Sequence, residues 1–135
     1  MGIDSRSRYY SPDRNVYISG PISSNPTHEH WFDAVERYLW STDRYDQVYN
    51  PDKIGAAYEI DHPFDVASSD EYKRIKRLDR DAIFLGRCGH IVFMPGWDKA
   101  TGCIAEYMAA KVLGLTMIFL SEKDMADILI KFGGH

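Results

Sequence analysis

The sequence predicts an α/β three-layer sandwich with a mostly parallel sheet. Three observations carry this. Short β-prone runs alternate with longer segments of helical apolar spacing, in the order β-α-β-loop-α-β-α-β-α, and such alternation demands crossover connections and helices on both faces of a parallel sheet. The strand-like runs end at Gly–Pro, Asn–Pro or a Pro/Gly-rich turn. At 135 residues and 44% hydrophobic content, the chain is the size of one ordinary domain and can build one core.

Residues 1–14 are polar and turn-rich and read as a flexible lead-in, with a single domain over 15–135. The first strand is Asn15 to Ser19, stopped by Gly20–Pro21. Thr27 is a candidate cap for a helix whose Trp31, Val35, Tyr38 and Leu39 recur with helical spacing. Gln47–Val48–Tyr49 reads as a second strand. Pro51 to Ser69 reads as a long irregular segment with room for a short helix, and a connection of that length more often shapes a site than merely joins elements. The next helix starts near Ser68 or Ser69 and carries Tyr72, Ile75, Leu78, Ala82 and Leu85 on one face, until Gly86 and Gly89 break it. His90 to Met94 is a strand, Thr101 to Leu113 a helix capped by Gly114, Thr116 to Leu120 a strand and Glu122 to Phe132 the final helix.

The formal net charge of -4 argues against a protein that coats polymeric nucleic acid. No segment offers the roughly 18 uncharged apolar residues needed to span a bilayer, so a cytoplasmic protein without a membrane partner is expected. Cys88 and Cys103 read as free thiols of a reducing compartment, since two cysteines within core-forming patterns make a poor disulfide framework. The five histidines have no metal-ligand spacing, and neither a metal nor an organic cofactor is expected. His62, beside Asp61 and Asp65, is the nearest approach to one.

Ligands of parallel sheets sit beyond the carboxyl ends of the strands, which brings Ser19–Gly20–Pro21, Asn50–Pro51 and Pro95 to Thr101 to one edge. Glu106, about one turn into its helix, is the foremost candidate for chemistry. Helix N–H groups favour its ionised form, which covalent attack on a sugar carbon requires. The alternative is an ordinary exposed acid near a helix start. Thr101 and Gly102 can cap that helix or admit a phosphate to its first-turn amides, or be purely structural. Asp81 can pair with Arg77 four residues earlier as a solvated ion pair, or assist proton transfer near Glu106. Tyr17 and Ser19 share one side of the first strand, and Gly20 can expose backbone to a ligand. Trp97 can stack on a base and Asp98 orient a hydroxyl, or both can stabilise their own loop.

YISGPISSNP at 17–26, together with GHIVFMPGWDKATGCIAEYMAAKVLGLTMIFL at 89–120, resembles the nucleoside 2-deoxyribosyltransferase-like superfamily, especially its DUF4406 branch. The resemblance implies a flavodoxin-like or Rossmann-like fold and cleavage of the N-glycosidic bond of a deoxynucleoside or its monophosphate through a helix glutamate. It implies Glu106 as nucleophile, Asp81 as the aspartate that holds or activates the substrate, Tyr17, Ser19 and Gly20 as first-loop contacts, and Thr101 and Gly102 as the turn into the nucleophile helix. PGWDKATG departs from the more Asp/Gly-rich loop of the transferases. The expected function is therefore hydrolysis or base transfer on a small nucleoside or nucleotide, by a homo-oligomer as in related enzymes. The alternatives are a non-catalytic nucleotide-binding or sensing module, and an interaction protein using Trp31, Tyr38, Trp40 and the C-terminal helix.

Overall fold

The computed structural model describes residues 12–54 and 70–134, with the side chains of 12, 70–76 and 79 left aside. Four strands form one parallel sheet in the order β2-β1-β3-β4: β1 is Asn15–Ser19, β2 Gln47–Tyr49, β3 His90–Phe93 and β4 Thr116–Phe119. The helices are α1 (His28–Ser41), α2 (Asp70–Leu85), α3 (Thr101–Leu113) and α4 (Glu122–Phe132). This is the mixed α/β sandwich of flavodoxin-like or Rossmann-like type, and its strand order reverses between β1 and β3, where open α/β sheets form their crevice.

Every residue of β1 is buried, as a central strand covered on both sides requires. Alternation sorts its side chains. Val16 and Ile18 join Val92 and Met94 against Phe32, Val35 and Leu39 of α1 and Met125 and Ile128 of α4. Tyr17 joins Ile91 and Phe93 on the opposite face, with Leu85 of α2 and Ala110 of α3.

The helix ends follow local chemistry. Gly114 takes the left-handed conformation, φ 76°, that closes α3, and Ser121 caps α4 reciprocally with Asp124. Thr27 occupies the cap position of α1, but its side chain does not cap it; its hydroxyl and N–H both donate to Asn25 Oδ1. The lead-in also extends less far than residue 14. Pro12–Arg14 forms a 3-10 turn, and the backbone of Asp13 passes so close to Gly89 that a Cβ there would lie 2.5 Å from its Cα.

The long segment after β2 begins with a helical turn at 51–54, while 55–69, including His62, Asp61, Asp65 and the predicted start of α2, lies outside the described residues. The face predicted for α2 is rotated. Leu85 is buried, but Leu78 is 39% exposed and Ala82 is exposed, whereas Arg80 is buried. The described side chains of α2 turned inward are Arg80, Asp81, Phe84 and Leu85, so two charged residues take core-facing positions. Tyr72 and Ile75 are beyond the described side chains. Among the described residues no helix is long and apolar enough to cross a membrane.

Candidate functional site

Tyr17 and Ser19 point from β1 to the α2/α3 side, and both meet the one buried acid of α3. The Tyr17 hydroxyl donates to Glu106 Oε2 at 2.6 Å and the Ser19 hydroxyl to Oε1 at 2.7 Å. Glu106 is only 7% exposed. The reading of it as an exposed first-turn acid is thereby excluded for this conformation.

Asp81 of α2 lines the same cleft as Glu106 and is electrostatically coupled to its carboxyl. Its companion cation is Arg80, whose Nε and Nη2 both lie 3.0 Å from Asp81 Oδ1. Neighbouring helix residues do not normally face each other, but a long guanidinium arm can double back. The predicted partner, Arg77, is thus replaced by the adjacent arginine in the described ion pair.

Burial decides the protonation of this cluster. Loss of water, followed by the charge of Asp81, raises the Glu106 carboxyl to about 8, against the opposing hydrogen bonds from Tyr17 and Ser19. Asp81 is also raised, by burial first, with Arg80 opposing. The helix-end argument for an ionised Glu106 is corrected here, since the residue lies beyond the first turn of α3, where the dipole effect has faded, and desolvation dominates. The two carboxyls are coupled, so a charge on one disfavours a charge on the other.

Between α2 and α3 the pair opens into a cleft of about 270 Å³ lined by Leu78, Asp81, Ala82, Leu85, Ala105, Glu106 and Ala109. That volume is near the lower end for small-ligand sites, and a few polar groups on an apolar wall are the usual composition of such sites. Cys103, one turn before Glu106, is buried against Ser19, and burial pushes its thiol up to about 12. Cys88, also buried and raised to about 12, donates to the Phe84 carbonyl at 3.4 Å.

Of the other predicted positions, Gly20 and Trp97 take part in packing. Gly20 is buried, and a Cβ there would fall 2.1 Å from Met94 Cε, so its missing side chain makes room for Met94. Trp97 stacks on Tyr107 with centroids 5.1 Å apart and also packs on Phe93 and Phe119, which assigns its ring to an aromatic cluster. Asp98 is exposed on the 3-10 turn Trp97–Lys99 and joins none of the described contacts around Glu106. Thr101 is the first residue of α3, with Ala100 at the cap position, so the threonine side chain does not cap the helix. Gly102 is exposed, with open space where a side chain would be. Asn50 ties the strand end to α1, its amide donating to Glu36 Oε1 at 3.1 Å.

Arg80 and Cys103 were absent from the sequence-based candidates. Arg80 could have been found from its place in the row Arg80–Phe84–Cys88, where a cation interrupts an inward-facing i, i+4, i+8 series. Among the described residues no group of His, Cys, Asp and Glu is arranged to hold a metal ion.

Comparison with curated proteins and with solved structures returned no match. Residues 14–119 match the family model described as Domain of unknown function (DUF4406). Since that match spans most of the chain, including every strand and the Tyr17–Ser19–Asp81–Glu106 cluster, the protein belongs to the DUF4406 family.

Proposed function

We propose that this protein cleaves the N-glycosidic bond of a 2-deoxynucleoside or its 5-monophosphate, by hydrolysis or base transfer, with Glu106 as nucleophile. The observation that supports this best is the carboxyl pair, one member held on both oxygens by Tyr17 and Ser19, with both carboxyls lining a cleft between α2 and α3. A retaining displacement needs one carboxylate as nucleophile and one proton for the departing base, and two coupled carboxyls side by side offer a group for each role.

The proton passes from Glu106 to Asp81. A Glu106 oxygen then bonds to C1′ as the C1′–N bond breaks, and its electron pair leaves on the base nitrogen, which takes the proton from Asp81. Water or an acceptor base attacks C1′ next. Asp81 receives the nucleophile's proton, and Glu106 departs as a carboxylate. Tyr17 and Ser19 stabilise that carboxylate each time it forms. The uncapped first turn of α3, with no side chain at Gly102, supports a phosphate on the substrate.

The test is incubation with a panel of deoxynucleosides and their monophosphates, with and without an acceptor base, followed by mass analysis of products. Free base, with Glu106→Ala inactive, is the result expected; undiminished base release by Glu106→Ala would reject the nucleophile, and equal handling of nucleosides and monophosphates would remove the phosphate contact. A second reading, a non-catalytic nucleotide-binding module, is favoured by the engagement of both Glu106 oxygens by protein hydroxyls. It predicts saturable binding with neither free base nor a Glu106 adduct.

The two buried thiols support a reducing, cytoplasmic setting. Trp31 and Tyr38 pack on the core and Trp40 donates to Glu36 at 3.1 Å, so these aromatics are engaged within the chain. A homo-oligomer is better supported by the exposed row Ile104, Met108 and Val112 on α3. A monomer by size exclusion, with and without nucleotide, would reject it.

A further inference from the structure

We propose that Arg80 is a positioning residue for the carboxyl pair: its guanidinium engages Asp81 Oδ1 through two nitrogens and leaves Oδ2 to exchange the proton with Glu106 and the leaving base. This rests on the reaction proposed above. The geometry behind it is the convergence of Nε and Nη2 on one oxygen, each at 3.0 Å, by an arginine that is 7% exposed. A cation is costly to bury unless its neighbours repay the lost hydration. A position that merely filled space between α2 and the sheet would be served by an apolar side chain, as at Leu85.

The groups facing Asp81 make the consequence specific. Tyr17 comes from β1, Glu106 and Cys103 from α3 and Arg80 from α2 itself. Only Arg80 among them is a cation. The remaining three are acids or neutral groups whose charged forms repel a charge on Asp81, so Arg80 is the group among them that favours the ionised form of Asp81 against its burial. The fork also fixes which Asp81 oxygen is free, which a point charge cannot do.

Two variants separate charge from geometry. Arg80→Met removes both, and Arg80→Lys keeps the charge but not the fork. With ¹³C-labelled carboxyl groups followed by NMR across a pH series, the lower ionisation of the pair is expected to rise by about one pH unit or more in Arg80→Met and to stay near the parent value in Arg80→Lys. Base release by Arg80→Met should lose its acid limb at correspondingly higher pH. Arg80→Lys should show kcat reduced about tenfold with KM little changed, the signature of a mispositioned proton donor.

An unmoved lower ionisation in a folded Arg80→Met, or full kcat in Arg80→Lys, overturns the proposal. If Arg80→Met does not fold, Arg80→Gln supplies the same titration with a neutral donor. Should the parent protein release no base from any substrate while the titration shifts as stated, the glycosidic reaction falls and the control of Asp81 by Arg80 stands. Base release with normal kcat in Arg80→Lys has the opposite meaning.

Discussion

The two faces of the sheet are built from the same strands and do different work. On the α1/α4 face, Val16, Ile18, Val92 and Met94 meet Phe32, Val35, Leu39, Met125 and Ile128, all of them apolar. On the α2/α3 face, the alternate residues of β1 are Tyr17 and Ser19, and they end on a buried glutamate rather than on hydrocarbon. The period of two along a strand lets one face supply stability while its neighbour one residue away carries polar groups that burial alone would disfavour. The second face is not uniformly polar. It also carries the aromatic cluster of Phe93, Trp97, Tyr107 and Phe119.

The strongest separation of the faces is expected from Glu106→Ala, which should lower base release about 10⁴-fold or more and leave the fold intact by circular dichroism. Phe32→Ala strikes the other face. Chemical denaturation should show a loss of about 3–5 kcal/mol, with the ionisation of Glu106 unmoved; a changed ionisation would mean the two faces are coupled through β1. Tyr17→Phe removes the donor on Glu106 Oε2 and should cost about 1.5–3 kcal/mol of transition-state stabilisation, read as a fall of roughly tenfold or more in kcat/KM. Because that hydrogen bond holds the carboxyl down, the ionisation of Glu106 should also move up, and base release measured against pH would reveal it.

A pH series sharpens the contrast further. Glu106 ionises near 4.5 in an unfolded chain and at about 8 in the fold. Between those values the folded protein keeps a proton that the unfolded chain has released. The contribution of this group is therefore most favourable below 4.5, declines as pH rises to about 8 and is level above it. Glu106→Gln lacks this dependence, so its melting temperature should gain on that of the parent across the same window. A constant difference from pH 5 to 8 would show that Glu106 is not buried as a neutral acid. The smallest effect is expected from Thr101→Ala, within about 0.5 kcal/mol by thermal unfolding, since Thr101 is exposed and its side chain makes no cap.

Much of this was legible in the chain. The ranges of β1, β2, α3 and α4 follow from β-prone runs and helical spacing closed by Gly20–Pro21, Asn50–Pro51, Gly114 and Gly133. The shared side of Tyr17 and Ser19 follows from alternation, and Glu106 stands out because it breaks the run of small and apolar residues in α3. The roles of Gly20 and Trp97 were less legible, because a glycine that admits a ligand and one that admits Met94 look alike in sequence, as do a tryptophan awaiting a base and one stacked on Tyr107.

By itself the sequence determined the order of elements and the sides of β1, since each depends on residues within a few positions of one another. Only the tertiary structure decided that burial raises the Glu106 carboxyl, that Tyr17 reaches it across 89 positions and that Arg80 rather than Arg77 accompanies Asp81 in the described ion pair. Those outcomes depend on desolvation and on charges brought close through space, and neither exists until the helices are laid against the sheet.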